Sequence, residues 1–160
     1  MIIRTLLKNQ DPVLSSGRST DRDIKMFEIR EYKEYKEEEI LKLYAAVGWS
    51  AYTENIAVLR EAYAHSLLIL GAYEDDRLIG IVRAVGDGAT IVFVQDILVH
   101  PGYQRQGTGK ALLQAVLDRY PDVRQIELVS DDTPQTLAFY EALGFSRLSE
   151  RGCCGFIKNR

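Results

Sequence analysis

Val99-His100-Pro101-Gly102-Tyr103-Gln104-Arg105-Gln106-Gly107-Thr108-Gly109-Lys110 joins two segments of different periodicity. Upstream, Ile91 to Val99 is an apolar run of strand length. Downstream, Leu112, Leu113, Val116, Leu117 and Tyr120 recur at helical spacing across Ala111 to Tyr120, and Pro121 stops the pattern. The stretch therefore reads as a strand, a tight loop and a helix whose first turn carries no bulky side chain. The N–H groups of such a turn, backed by the positive end of the helix dipole, favour an anion.

The flanking chain sets the context for that loop. With 160 residues, 46% hydrophobic and 27% charged, the chain fits one domain with a sizeable core. A net charge of −3 gives no electrostatic reason to expect nucleic acid or an anionic membrane as a partner. No apolar run approaches the roughly 18 residues that span a bilayer, and Met1 to Lys8 is too interrupted for a signal-peptide core. A cytoplasmic protein is the expectation. Cys153 and Cys154 are adjacent, a spacing that builds no disulfide framework, and without a CxxC or HExxH pattern no metal is expected.

Residues 1–25, rich in Ser, Asp and Arg, read as an N-terminal extension; residues 26–160 read as a single domain. Met26 to Tyr32 alternates as a strand, and Ile40, Leu41, Tyr44 and Val47 form a helical stripe ended by Gly48. Trp49 to Thr53 is expected to be a loop, followed by a helix over Glu54 to Ser66. Three strands joined by short turns follow, over Leu67–Glu74, Arg77–Val85 and Thr90–Val99. After the glycine loop and its helix, Arg124 to Ser130 reads as a strand parallel to the one before the loop. Thr133 and Pro134 open a last helix, and Phe145–Leu148 with Cys153–Ile157 read as a C-terminal strand pair. The class is α+β, or mixed α/β.

Two nucleotide loops can be excluded. A Walker A loop needs a glycine where Gln104 stands and a hydroxyl where Ala111 stands. A dinucleotide fingerprint needs a third glycine where Leu112 stands. Gln104-Arg105-Gln106-Gly107-Thr108-Gly109 instead matches the pattern Q/R-x-x-G-x-G/A. With the lead-in Asp96-Ile97-Leu98-Val99-His100-Pro101 and the later Phe139-Tyr140-Glu141-Ala142-Leu143-Gly144-Phe145, the chain resembles the GNAT superfamily of N-acetyltransferases over roughly 27–158.

That resemblance implies a central mixed, mostly antiparallel sheet flanked by helices, with a V-shaped opening between two parallel strands, and acetyl-CoA as cosubstrate. Amides from Gln104, Arg105, Gln106, Gly107, Thr108, Gly109 and Lys110 would hold its pyrophosphate. Main-chain groups of Ile97, Leu98 and Val99 would pair with the pantetheine arm, with a strand bulge at Leu98 and Val99. Phe139 and Tyr140 would border the cofactor, and Tyr140 would protonate the departing thiolate. Thr133 stands where many members carry Asn against the cofactor.

Asp96, a carboxylate inside an apolar strand, is costly there unless paired or used. It is the expected general base, or the anchor of a cationic amine, with Glu74 and His100 in reserve. Trp49, Tyr52 and Asp96 would line the acceptor pocket, together with the meander strands and the C-terminal strand pair. A small amine with an apolar or aromatic body is the expected acceptor, with peptide N-termini, lysine side chains, polyamines and aminoglycosides as open alternatives, and a homodimer is compatible with the family. The competing expectation is a catalytically silent module that binds acetyl-CoA or a partner.

Overall fold

The computed structural model describes residues 27–158, so the expected extension over 1–25 lies outside the described residues. Five strands form one sheet in the order β1-β2-β3-β4-β5: Glu28–Glu31, Leu68–Glu74, Arg77–Gly86, Ile91–Val99 and Gln125–Leu128. Neighbours are antiparallel except β4 and β5, which run parallel as the loop-helix crossover requires. The fold is thus the expected α+β class, a mostly antiparallel sheet flanked by helices.

Helix α4 (Thr108–Arg119) lies on one face of the sheet. Its Leu112, Leu113 and Val116 are fully buried, each side chain contributing about 1.5–3 kcal/mol on removal from water. Gly80 on β3 permits this close approach: a Cβ there would sit 2.9 Å from the Leu98 carbonyl and 3.2 Å from Leu112. The opposite face is covered by α1 (Glu37–Ala46) and α3 (Ile56–Ala64) through Ile40, Leu43, Tyr44, Leu59 and Tyr63. Gly48, at φ +77°, turns the chain out of α1, and the Asn55 side chain caps α3 by accepting from the Val58 amide at 3.2 Å.

Two expectations fail. Trp49–Thr53 is not simply a loop, because Ser50–Thr53 closes one helical turn, α2. The C-terminal strand pair does not form either. Leu148–Arg151 is a 3-10 turn that ends at Gly152 in a left-handed conformation, and residues 153–158 run exposed with Phe156 94% accessible. Alternation in so short a segment finds no neighbouring strand among the described residues to pair with.

Candidate active site

The loop after β4 is built from its own backbone and polar side chains. Pro101–Tyr103 make a 3-10 turn, with the His100 Nδ1 accepting from the Gly102 amide at 3.2 Å. Gln104 donates to the Val99 carbonyl at 3.0 Å, Gln106 to Gly102 at 2.9 Å, and the buried Thr108 hydroxyl to Tyr103 at 3.3 Å. Tyr103 donates from its hydroxyl to Glu74, so that carboxylate braces the turn. The side chains of Gln104, Gln106 and Thr108 therefore hold the loop rather than face a ligand.

Its amides are the candidate binding feature. Arg105 (φ +60°) and Gly107 (φ +88°) are left-handed, and Gly107 is the N-cap of α4. Residues 104–107 form a turn, and among the described residues no amide from 105 to 110 makes a close, well-aligned hydrogen bond to a carbonyl or to a side-chain acceptor. A Cβ built on Gly107 meets nothing within 4 Å, so the space beyond that amide run is open. Arg105 and Lys110 are exposed beside it and make no ion pair among the described residues. A concave run of free amides at a helix start, with two cations alongside, fits a diphosphate.

An open edge leads to this cradle. The β4–β5 ladder runs from Ile91/Gln125 to Val94/Leu128, and beyond it β4 continues through Gln95, Asp96, Ile97, Leu98 and Val99 paired with β3 while β5 ends. The expected bulge lies three residues earlier than Leu98. Val94 opposes Ala84 and Asp96 opposes Arg83, so Gln95 is the extra residue, at the point where β5 parts from β4. Leu98 and Val99 pair regularly with Ile81 and Gly80.

The bulge also decides where Asp96 points. Upstream of it, Val94 shares the α4 face with Ala84; downstream, Ile97 opposes Val82 on that face, which leaves Asp96 with Arg83 on the α1–α3 face. Asp96 is 0% exposed. Its Oδ2 accepts from Arg83 Nε at 2.5 Å and from the Tyr44 hydroxyl at 2.9 Å, while Oδ1 is buried with no hydrogen-bond partner. Burial holds the Tyr44 and Tyr63 hydroxyls well above the usual tyrosine range, so both remain donors, and Tyr63 donates on to Tyr44 at 3.3 Å.

The aromatic wall forms around that carboxylate. Trp49 stacks on Tyr52 with ring centroids 5.3 Å apart, and both meet the edge or face of Tyr44. Trp49 is only 5% exposed, so its expected contact with an acceptor is reduced to support for Tyr52, which is half-buried. The Tyr52 hydroxyl is raised by burial first and by the Asp96 charge second. The third expected wall, the C-terminal strand pair, is absent.

Helix α5 (Pro134–Glu141) comes up to the start of α4. Phe139 reaches the first turn of α4, where a Cβ on Gly109 would lie 3.7 Å from its ring and 3.6 Å from Val99. Tyr140 is buried between Phe139 and Phe145. Thr133 caps α5, its Oγ1 accepting from the Thr136 amide at 3.2 Å and meeting the Thr136 hydroxyl at 2.8 Å. That use competes with any cofactor contact. Thr133→Ala should cost about 1 kcal/mol of stability and change acetyl-CoA affinity by less than twofold, as thermal melts and calorimetry will read.

Loop, Phe139 and Tyr140 come together on the α4 side, whereas Asp96, Tyr52 and Trp49 gather on the α1–α3 side. Sequence reasoning missed Arg83, Tyr44 and Tyr63. Arg83 carried a signal, since a charge within Ile79–Val85 is as costly as Asp96 is within β4, and the two strands are consecutive.

Comparison with known proteins accords with this geometry. The model of the acetyltransferase (GNAT) family matches residues 28–145, and the chain belongs to that family. An uncharacterized ycf52-like N-acetyltransferase of Prochlorococcus marinus is 32% identical over 124 residues, 74% of this chain and 67% of the relative. A protein of Glycine max named histone acetyltransferase TAP1 is 36% identical over 106 residues, 65% of this chain but only 43% of the relative. Among solved structures, a GNAT family acetyltransferase from Streptococcus pneumoniae superposes with a TM-score of 0.76 at 38% identity, covering 84% of this chain and 98% of that one. No helix among the described residues is long and apolar enough to cross a membrane.

Proposed function

We propose that the chain transfers the acetyl group of acetyl-CoA to a primary amine by direct attack, and that the acceptor is a small molecule with an apolar or aromatic body. The observation that carries the cofactor assignment is the run of six amides from Arg105 to Lys110 at the start of α4, none of which makes a close hydrogen bond among the described residues. They would bind the pyrophosphate, with Arg105 and Lys110 adding charge. The edge of β4 from Gln95 to Val99 that lies beyond the β4–β5 ladder would accept the pantetheine arm as an added strand, and an N–H near Leu98 would polarise the thioester carbonyl. Acetyl-CoA supplies the activated acyl group; the chain orients it and manages protons.

Tyr140 is assigned as the donor of the proton that the departing thiolate takes up. Oδ2 of Asp96 is occupied by Arg83 and Tyr44, which favours the anchoring role, with Oδ1 accepting from the amine. The name of the soybean relative supports a second acceptor class, the lysine side chains of a protein.

The test is thiol release from acetyl-CoA against a panel of phenylethylamine, spermidine, an aminoglycoside and a histone-tail peptide. We expect release with phenylethylamine at a kcat/KM at least tenfold above the others. Preference for the peptide would transfer the assignment to protein lysines. Binding of acetyl-CoA without turnover of any member would favour the silent module.

A further inference from the structure

We propose that Arg83 is a positioning residue for the acceptor amine, acting through Asp96: it fixes the carboxylate at the β4 bulge and occupies Oδ2, which leaves Oδ1 for the amine. This rests on the acetyltransferase reading above.

Arg83 is itself buried, 5% exposed, and every contact it makes ties the bulge to the acceptor-side helices. Its Nε donates to Asp96 across the register shift at 2.5 Å. Its Nη1 reaches the Ala62 carbonyl at 3.4 Å in α3 and the Ser66 hydroxyl at 3.3 Å just beyond it. The guanidinium lies 5.6 Å from the Tyr63 ring centroid, and Tyr63 bonds through Tyr44 to the same Asp96 oxygen. The rigid fork of Arg spans these partners at once, which the single ammonium of Lys cannot do.

Oδ1 of Asp96 accepts no close hydrogen bond, and beyond Arg83 and Tyr44 only the Tyr52 hydroxyl adds a minor one to that carboxylate. A buried carboxylate oxygen without a partner is unfavourable in the resting protein and becomes satisfied when a donor arrives. A primary amine is such a donor. The ion pair already balances the charge of Asp96, so the site is nearly neutral and suits a monoamine rather than a polycation. The pair lies on the α1–α3 face, whereas the cradle lies at the start of α4, so the two ligands draw on separate machinery.

The experiment compares wild type with Arg83→Lys, Arg83→Met and the double variant Arg83→Met/Asp96→Asn. Calorimetry gives the affinity for acetyl-CoA and the affinity of the CoA-loaded protein for phenylethylamine; steady-state kinetics give KM and kcat. Both single variants should lose at least tenfold in amine affinity and in amine KM, with acetyl-CoA affinity within twofold of wild type. The double variant, free of a buried unpaired charge, should regain thermal stability relative to Arg83→Met and stay as poor in amine binding.

Amine affinity retained in Arg83→Lys, lost in step with acetyl-CoA affinity, or recovered in the double variant would overturn the proposal, as would failure of the wild type to bind the amine. Wild-type amine binding without thiol release would refute the enzymatic reading and leave the role of Arg83 in amine binding intact.

Discussion

Gly107→Val is expected to lower acetyl-CoA affinity at least a hundredfold while leaving the domain folded. Gly107 holds φ +88° at the N-cap of α4, a conformation that a β-branched residue adopts only at a cost of about 1–3 kcal/mol. Nothing within 4 Å would clash with the added carbon, so the core has no reason to fail. Valine leaves two routes, and both damage the site. If the backbone stays, the side chain stands in the open space beyond the amides; if it relaxes, the amides of 105–110 no longer converge. Gly152→Val is the matched control, since Gly152 also has a left-handed φ, +72°, with open space around its Cβ, but lies in the turn after α5. Similar losses of thermal stability in the two variants, with affinity lost only at Gly107, would assign the cradle. Equal acetyl-CoA affinity in both would refute it.

The second large effect is on turnover. Tyr140→Phe should reduce kcat about a hundredfold, the lower end of what a positioned general acid contributes, with acetyl-CoA affinity within twofold of wild type. Phenylalanine keeps the ring between Phe139 and Phe145, so the packing of α5 is preserved and stability should change by about 1 kcal/mol or less. An unaltered kcat would make Tyr140 a core aromatic and nothing more. Poorer leaving groups need the acid most, so a thioester whose thiol is more acidic than CoA should show a smaller difference between the two proteins.

Much of this site was legible because its signals are local. The apolar run of β4, the small residues of the loop and the stripe of α4 each set one element, and a parallel return to β5 follows from the crossover. Thr133 and Pro134 mark the start of α5 for equally local reasons: a hydroxyl to take an orphan amide and a residue with none to give.

What was not legible depends on partners distant in sequence. The apolar pattern of β4 treats 92, 94, 96 and 98 as one face, yet the extra residue at Gln95 reverses that order, and only pairing with β3 reveals it. Trp49 reads as a loop aromatic until Tyr44 and Tyr52 are seen to enclose it. Residues 153–157 have the composition of a strand, but a strand needs a neighbour, and none among the described residues pairs with them.

The amide run from Arg105 to Lys110 carries a consequence for how this protein tolerates change. An anion held by main-chain donors is indifferent to most side chains at the positions that supply them. Arg105, Gln106 and Lys110 are exposed and contribute their backbones whatever residue they bear, so the recognition is stored in dihedral angles rather than in chemical identity. Drift in this loop is therefore constrained where the chain must turn left-handed and comparatively free elsewhere. On the proposed assignment, the capacity to hold the donor persists while the proposed acceptor wall around Tyr52 and Asp96 is rebuilt for a different amine.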